Sequence, residues 1–384
     1  MARRELRRWQ RDALERWKQE GNRGIVSVVT GGGKTIFALA CIEEIKAMTT
    51  LVVVPTAALL DQWWEETAAF FNWRLDDINI VSNKNAVKVG TVNLAVLNTA
   101  ATLASRKKMP ECFLIIDECH RAASAHFRDV LKLPAFASLG LSATPERQYD
   151  EGLTEVLIPA LGPIIYEYDY AAARADGVIV PFVLRNVVFE LEEARQVEYD
   201  KLTKAIARSL RREGPESEKT ISLLIKRSRV VSLSDRRVVL ALRLVANNRN
   251  RRTLVFHEDI DSCDVISHVL NSNDISAGVY HSRLRLRQRV QVLSDYRAGK
   301  LEVLVTCRAL DEGFNVPETE IGIIASSTAT RRQRIQRLGR IVRPAEGKAD
   351  ALVYTLVATA PEIARLKDEE AALEGVASVS WGSA

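Results

Sequence analysis

Short, β-branched apolar runs alternate along this chain with longer segments of helical pattern, and that alternation leaves few folds open. The runs are IVSVV (25–29), LVVV (51–54), LAVL (94–97), FLII (113–116) and LGL (139–141), then TLVFH (253–257), VLVT (303–306), IGIIA (321–325) and ALVYTLV (351–357). A run that is apolar throughout reads as a strand buried on both faces, the habit of parallel sheets. A parallel neighbour is reached only through a crossover of a dozen or more residues, usually a helix. The intervening segments are long enough for that. The pattern therefore predicts an α/β protein with two doubly wound units, and 384 residues is more than one hydrophobic core usually serves.

Between the two series, residues 192–230 change character. They are rich in Glu, Lys and Arg, poor in strand signal, and broken by the turn-like Gly214-Pro215. The predicted organisation is a first domain over 1–180, a linker and charged helical insertion over 181–235, and a second domain over 236–384. The last ends in a polar helix after Pro361 and a small-residue tail with no readable role.

Apolar residues make up 47% of the chain, which excludes general disorder. No apolar run approaches the ~18 residues that span a bilayer, and the Arg-rich N-terminus lacks the apolar segment of a signal peptide. A cytoplasmic protein without a membrane partner is expected, nucleoid-associated if its source is prokaryotic or phage. Cys41, Cys112, Cys119, Cys263 and Cys307 form no C-x-x-C pair and read as free thiols. Net charge is +5, from 54 basic and 49 acidic residues. Arginine is dense at 3–11 and 331–343, either as solvated faces or as surfaces for nucleic acid.

The chemistry begins after the first strand. Thr30-Gly31-Gly32-Gly33-Lys34-Thr35 joins a strand to a helix, the context in which backbone N–H groups and a helix N-terminus cradle phosphates. Lys34 can reach the β- and γ-phosphates and Thr35 can ligate Mg²⁺, although Val28 stands where the strict G-x-x-x-x-G-K-[ST] pattern has glycine. At the end of FLII, Asp117-Glu118-Cys119-His120 brings two carboxylates to the carboxyl edge of the sheet, where open α/β folds bind ligands. Asp117 suits the hold on Mg²⁺ and Glu118 the activation of an attacking water. Ser142-Ala143-Thr144-Pro145 follows the LGL strand with small hydroxyls that can couple the nucleotide site to the rest of the domain. Near the N-terminus, Leu6, Trp9, Ala13, Leu14 and Trp17 form one helical stripe, with Gln10 inside it. A buried amide needs a partner, here an adenine edge or a backbone group. Trp63 and Trp64 read as packing residues rather than base-stacking platforms.

In the second half, RRQRIQRLGRIVR (331–343) reads as a helix. Gln336, Arg340 and Arg343 share one face and Ile335, Leu338 and Val342 another, so one stripe can pack on a sheet while the other offers guanidinium groups to a phosphate.

Taken in order, these elements resemble the superfamily 2 helicases, particularly the XPB-like group that includes UvsW-type helicases, over nearly the whole chain. Leu6 to Gln10 resembles the adenine-reading Q element, and Thr30 to Thr35 motif I. Pro55-Thr56 with Leu59 to Trp63 resembles motif Ia, Asp117 to His120 a DECH-type motif II, and Ser142-Ala143-Thr144 motif III. Leu254 to His257 resembles motif IV, Tyr280-His281-Ser282 the element after it, Thr306 with Asp311 to Pro317 motif V, and Gln336 to Arg343 motif VI. Asn315 departs from the Asp that many members carry.

The resemblance implies two tandem RecA-like domains, parallel sheets flanked by helices, with ATP and Mg²⁺ as cofactors. It assigns Glu118, Lys34, Gln336, Arg340 and Arg343 to catalysis. Gln10, Gly31, Gly32, Gly33, Lys34, Thr35 and Gly313 go to nucleotide binding, and Thr35 and Asp117 to the metal. Pro55, Thr56, Thr99 and Thr306 would lie along a nucleic-acid backbone, contacts that position a strand without reading it. The implied function is an ATP-dependent DNA helicase or translocase acting in repair, recombination or replication, with single-stranded, duplex or branched DNA as partner and a protein partner supplying specificity. RNA as substrate, and a nucleotide-gated clamp with little turnover, are the alternatives.

Overall fold

The computed structural model describes residues 5–46, 49–82, 85–104, 109–143, 152–307, 316, 319–326, 337–339, 341–345, 347–371, 373 and 375–384. The chain divides into two compact units, the first running through Ala175 and the second beginning at Asp176.

The first unit is built on seven strands: β1 (Arg23–Val28), β2 (Thr50–Val54), β3 (Asn79–Ile80), β4 (Val92–Val96), β5 (Cys112–Asp117), β6 (Ala135–Ser142) and β7 (Ile164–Tyr168). They line up as β3-β4-β2-β5-β6-β1-β7, and all the pairings are parallel. Helices α1 (Arg8–Gln19), α2 (Lys34–Ile45), α3 (Ala57–Phe71), α4 (Leu97–Ala104), α5 (Ile158–Leu161) and α6 (Tyr170–Ala175) complete it. Ile25, Leu51, Val53, Leu114 and Ile116 form the centre of its core. As the stripe predicts, α1 buries Trp9, Gln10, Ala13, Leu14 and Trp17.

In the second unit the strands are β8 (Phe182–Val188), β9 (Thr253–His257), β10 (Ala277–Tyr280), β11 (Val303–Cys307), β12 (Ile321–Ile324), β13 (Ala351–Val357) and β14 (Ala377–Ser383). Their order is β10-β11-β9-β12-β13-β8-β14, again with parallel pairings. The helices are α7 (Glu193–Glu213), α8 (Glu218–Ser232), α9 (Asp235–Ala246), α10 (Ile260–Asn271), α11 (Leu286–Arg297) and α12 (Ala360–Ala371). Numbered from its own first strand, this sheet has the same wiring as the first one, and β8 takes the place of β1.

That wiring revises two expectations. Residues 182–188, assigned from sequence to the linker, form a strand paired with both β13 and β14. The charged insertion is the helix pair α7–α8, which follows β8 in the chain. The small-residue tail is the edge strand β14, whose side chains alternate between half-buried and exposed, because an edge strand needs backbone pairing more than bulk. Trp381 ties it to α12 through an indole N–H to Glu370 Oε2 at 3.1 Å.

Arg237, on α9, is fully buried. It donates to Val231 O at 2.9 Å, Leu356 O at 2.8 Å and Glu362 Oε1 at 2.8 Å, and lies over the Phe189 ring. Glu362 Oε2 in turn accepts from the backbone N–H of Ala358 and Thr359. A buried ion pair of this kind contributes little net stability while both partners are satisfied, but removing one leaves a bare charge in the core. Arg237→Met should lower the unfolding free energy of the second unit by about 3–5 kcal/mol in a urea titration. By contrast Asp295→Asn, which breaks the exposed Lys300–Asp295 pair, should change it by less than ~1 kcal/mol.

His257, at the end of β9, is fully buried. Burial first, then the Arg237 guanidinium, push its pKa down to about 4. The unfolded chain takes up a proton near pH 6.5 that the folded chain refuses until about 4, so stability present above 6.5 is lost as pH falls through that window. The full effect is about 3 kcal/mol. His257→Asn, which keeps an acceptor for the Asp259 N–H that Nδ1 now takes at 3.1 Å, should flatten that part of the stability profile between pH 7.5 and 4.5.

Candidate nucleotide site

Apart from Gln10, which lies on α1, the candidate residues of the first unit lie at or just beyond the carboxyl ends of parallel strands. The phosphate loop follows β1, Pro55 and Thr56 follow β2, Thr99 sits in the first turns of α4 after β4, Asp117 ends β5, and Ser142 ends β6. In the sheet β6 stands between β5 and β1, so loop and carboxylates flank one strand, about 10 Å apart at the usual strand spacing.

Steric limits shape the loop. Gly33, the N-cap of α2, has φ +98°, and a Cβ there would meet the Gln10 amide at 2.9 Å. A Cβ on Gly32 would strike Val28 Cγ1 at 2.5 Å. Val28, the departure from the strict pattern, thus fills the space beneath the loop. The first turn of α2 has no side-chain cap, which leaves it open to an anion. Thr30 Oγ1 is buried with no hydrogen-bond partner, a second polar group fitted to a phosphate oxygen. Lys34 Nζ donates to Val28 O at 3.0 Å.

Helix α1 clasps this loop from below. Trp9 Nε1 donates to Gly32 O at 3.1 Å, and Gln10 Nε2 to Gly33 O at 3.0 Å. Gln10 Oε1 accepts the Arg7 N–H at 2.8 Å. Both of these partners are backbone groups, and the amide binds the loop to α1. Trp9 also stacks on Tyr168, with ring centroids 5.1 Å apart. This clasping role of Trp9 has no local signal, since the loop lies 23 residues away.

Across β6, Asp117 is almost wholly buried. Its Oδ1 accepts the Glu118 N–H at 2.9 Å and its Oδ2 the Trp63 indole N–H at 2.9 Å. Burial raises the carboxyl pKa, and Lys34, Trp63 and the Glu118 N–H pull against it. A buried carboxylate and the Thr35 hydroxyl are hard oxygen donors, the set that suits Mg²⁺ carried on phosphates. Glu118 has φ +49°, a left-handed backbone that costs a side-chain-bearing residue about 1–3 kcal/mol and collects at functional sites. His120 Nδ1 lies 3.0 Å from Ser142 Oγ and 3.4 Å from Glu118 Oε2, so the end of β6 is joined to the second carboxylate through one imidazole.

Thr56 caps α3, its Oγ1 accepting the Leu59 N–H at 3.3 Å. Trp64, like Trp63, spends its indole N–H on the protein itself, on Leu75 O at 2.8 Å at the surface. In the second unit Thr306 is fully buried within β11, its hydroxyl without a partner. Its strand lies inside the sheet, flanked by β10 and β9. Gly313, Asn315, Gln336, Arg340 and Thr144 lie outside the described residues. Of the Arg-rich helix, Leu338 and Val342 are buried as expected. Arg337 is buried too, donating to Ser326 Oγ at 2.5 Å and lying over Phe256, while Arg343 is only half-buried.

Two family models match the chain: the res subunit of type III restriction enzymes over residues 3–147, and the helicase conserved C-terminal domain over residues 236–345. The DNA 3'-5' translocase XPB2 of Sulfurisphaera tokodaii is 29% identical over 90% of this chain and 80% of its own length. The DNA 3'-5' helicase XPB of Kineococcus radiotolerans is 27% identical over 92% of this chain but 59% of its own. Among solved structures, Dbp5 of S. cerevisiae, bound to RNA and ADP BeF3, has the same fold, with a TM-score of 0.63 at 15% identity over 98% of this chain and 89% of that one. Two tandem RecA-like units with this motif order define a superfamily 2 helicase. Within that superfamily the relatives to which the chain is similar are of the XPB-like group.

The left-handed φ of Gly33 sets a measurable demand. An alanine there costs about 1–2 kcal/mol of backbone energy and displaces Gln10. Gly33→Ala should therefore weaken binding of a fluorescent ADP analogue by about 5- to 30-fold, with the far-UV circular dichroism spectrum unchanged.

Proposed function

We propose that the chain is an ATP-dependent DNA helicase or translocase that couples hydrolysis of Mg-ATP to movement on DNA or its remodelling. The observation that carries this reading is the set of groups around β6: an uncapped Gly-rich helix start with Lys34 and Thr35 on one side, and Asp117 and a backbone-strained Glu118 on the other.

In this reading the α2 N-terminus and Lys34 hold the β- and γ-phosphates, and Thr35 and Asp117 hold Mg²⁺, which neutralises charge developing on the phosphoryl oxygens. Glu118 orients the attacking water and takes its proton. His120 ties Glu118 to Ser142, so the state of the carboxylate is felt at the end of β6. Arg340 and Arg343 supply positive charge, and Gln336 a neutral amide, for the γ-phosphate, and hydrolysis coupled to movement of the units steps the protein along a strand. Pro55, Thr56 and Thr99 are the strand-facing groups of the first unit. Thr306 joins them only after a rearrangement that uncovers its hydroxyl.

DNA is favoured over RNA because the relatives named above are a DNA translocase and a DNA helicase, whereas the RNA-bound neighbour shares only the fold. Work in DNA repair, and a protein partner that supplies specificity, extend the same reading. No helix among the described residues is long and apolar enough to cross a membrane.

The deciding experiment is a steady-state ATPase titration with single-stranded, duplex and forked DNA and with RNA, using Lys34→Ala as the blank. DNA should stimulate turnover well above RNA, and Glu118→Gln should retain ATP binding while losing about 10²- to 10⁴-fold in turnover. Stronger stimulation by RNA, or wild-type turnover in Glu118→Gln, would overturn the reading.

A further inference from the structure

We propose that Trp63 is a positioning residue for the metal site, its indole N–H fixing the Asp117 carboxylate in the orientation that holds Mg²⁺. The proposal rests on the assignment of Asp117 to the metal.

Asp117 closes a strand whose residues are all buried, and two donors of the protein orient its carboxylate. The Glu118 N–H holds Oδ1 and the Trp63 Nε1–H holds Oδ2, each at 2.9 Å. With one donor on each oxygen, the plane of the carboxylate is set and the remaining lone pairs have fixed directions. Second donors of this kind orient metal ligands and tune their basicity.

The chemistry of the donor matters. An indole N–H donates and carries no charge, so it holds the carboxylate without neutralising it and without competing for it as a lysine or arginine would. Burial works against ionisation of Asp117, and the indole is one of the groups that offset it. Trp63 is itself 1% exposed and sits on α3, so its N–H is delivered by a packed helix rather than a loop. The Glu118 donor is backbone and cannot be removed by substitution. The indole can.

The test measures Mn²⁺, as a stand-in for Mg²⁺, bound to the full chain with ADP, by electron paramagnetic resonance and without turnover. Trp63→Phe keeps most of the ring and loses the N–H. It should bind Mn²⁺ about 10- to 100-fold more weakly, while ADP affinity in EDTA stays at the wild-type value. Trp63→His, which keeps a ring N–H but fills the pocket less well, should recover part of the Mn²⁺ affinity, whereas a packing role alone makes it worse than Phe. Wild-type Mn²⁺ affinity in Trp63→Phe, or a His variant weaker than the Phe variant, overturns the proposal. Asp117→Asn separates the two levels of failure. If it loses Mn²⁺ while Trp63→Phe keeps it, only the role of Trp63 falls; if Asp117→Asn also keeps Mn²⁺, the metal assignment falls with it. Should Trp63→Phe not fold, Trp63→His is compared with Asp117→Asn: Mn²⁺ affinity clearly above that variant's supports the proposal, and affinity no better than it overturns the proposal.

Discussion

Parallel strand pairing is the constraint on which both units depend. A parallel neighbour is reached only by returning along the face of the sheet, so each strand's carboxyl end points to the same edge and each crossover begins there. In the first unit this one rule delivers the Gly-rich turn after β1, the capped helix after β2, the carboxylates after β5 and the serine after β6 to a common edge. Chemistry written far apart in the chain becomes a site because no other arrangement of parallel strands is open to it.

The same rule decides how much could be read from sequence. The nine β-branched runs correspond to the interior strands β1, β2, β4, β5, β6, β9, β11, β12 and β13. Those strands are covered on both faces, which forces an apolar residue at nearly every position. Four of the five strands without such a run, β3, β7, β10 and β14, are the edges of the two sheets. An edge strand is held by its backbone on one side, and its side chains need satisfy little. The fifth, β8, is interior but carries Arg185 and Asn186 between its apolar positions, and so reads as ordinary amphipathic chain.

The site divides along a similar line. Lys34, Thr35, Asp117 and Glu118 stand out in the sequence because the phosphate and metal chemistry proposed for them admits few residue types. Trp9 and Trp63 were legible only as apolar bulk, since the property that matters, an N–H aimed at Gly32 or at Asp117, is created by packing across 23 and 54 residues of chain. Gln10 lies between these cases. Its polarity inside an apolar stripe announced a partner, and only tertiary structure identified that partner as the loop itself.

The shared wiring of the two sheets carries one more consequence. β8 occupies in the second sheet the position that β1 occupies in the first, so the segment after it, Phe189-Glu190-Leu191-Glu192, is the counterpart of the phosphate loop. It contains no glycine. Phe189 and Leu191 are buried in the core, and Glu192 accepts hydrogen bonds from the Ser234 hydroxyl and the Arg236 backbone N–H. A carboxylate therefore sits where the first unit has the uncapped, Gly-rich start of α2, and the donors around it already serve the protein's own charge. The two halves share a blueprint but hold opposite electrostatic signs at the same point, Lys34 in the first and Glu192 in the second.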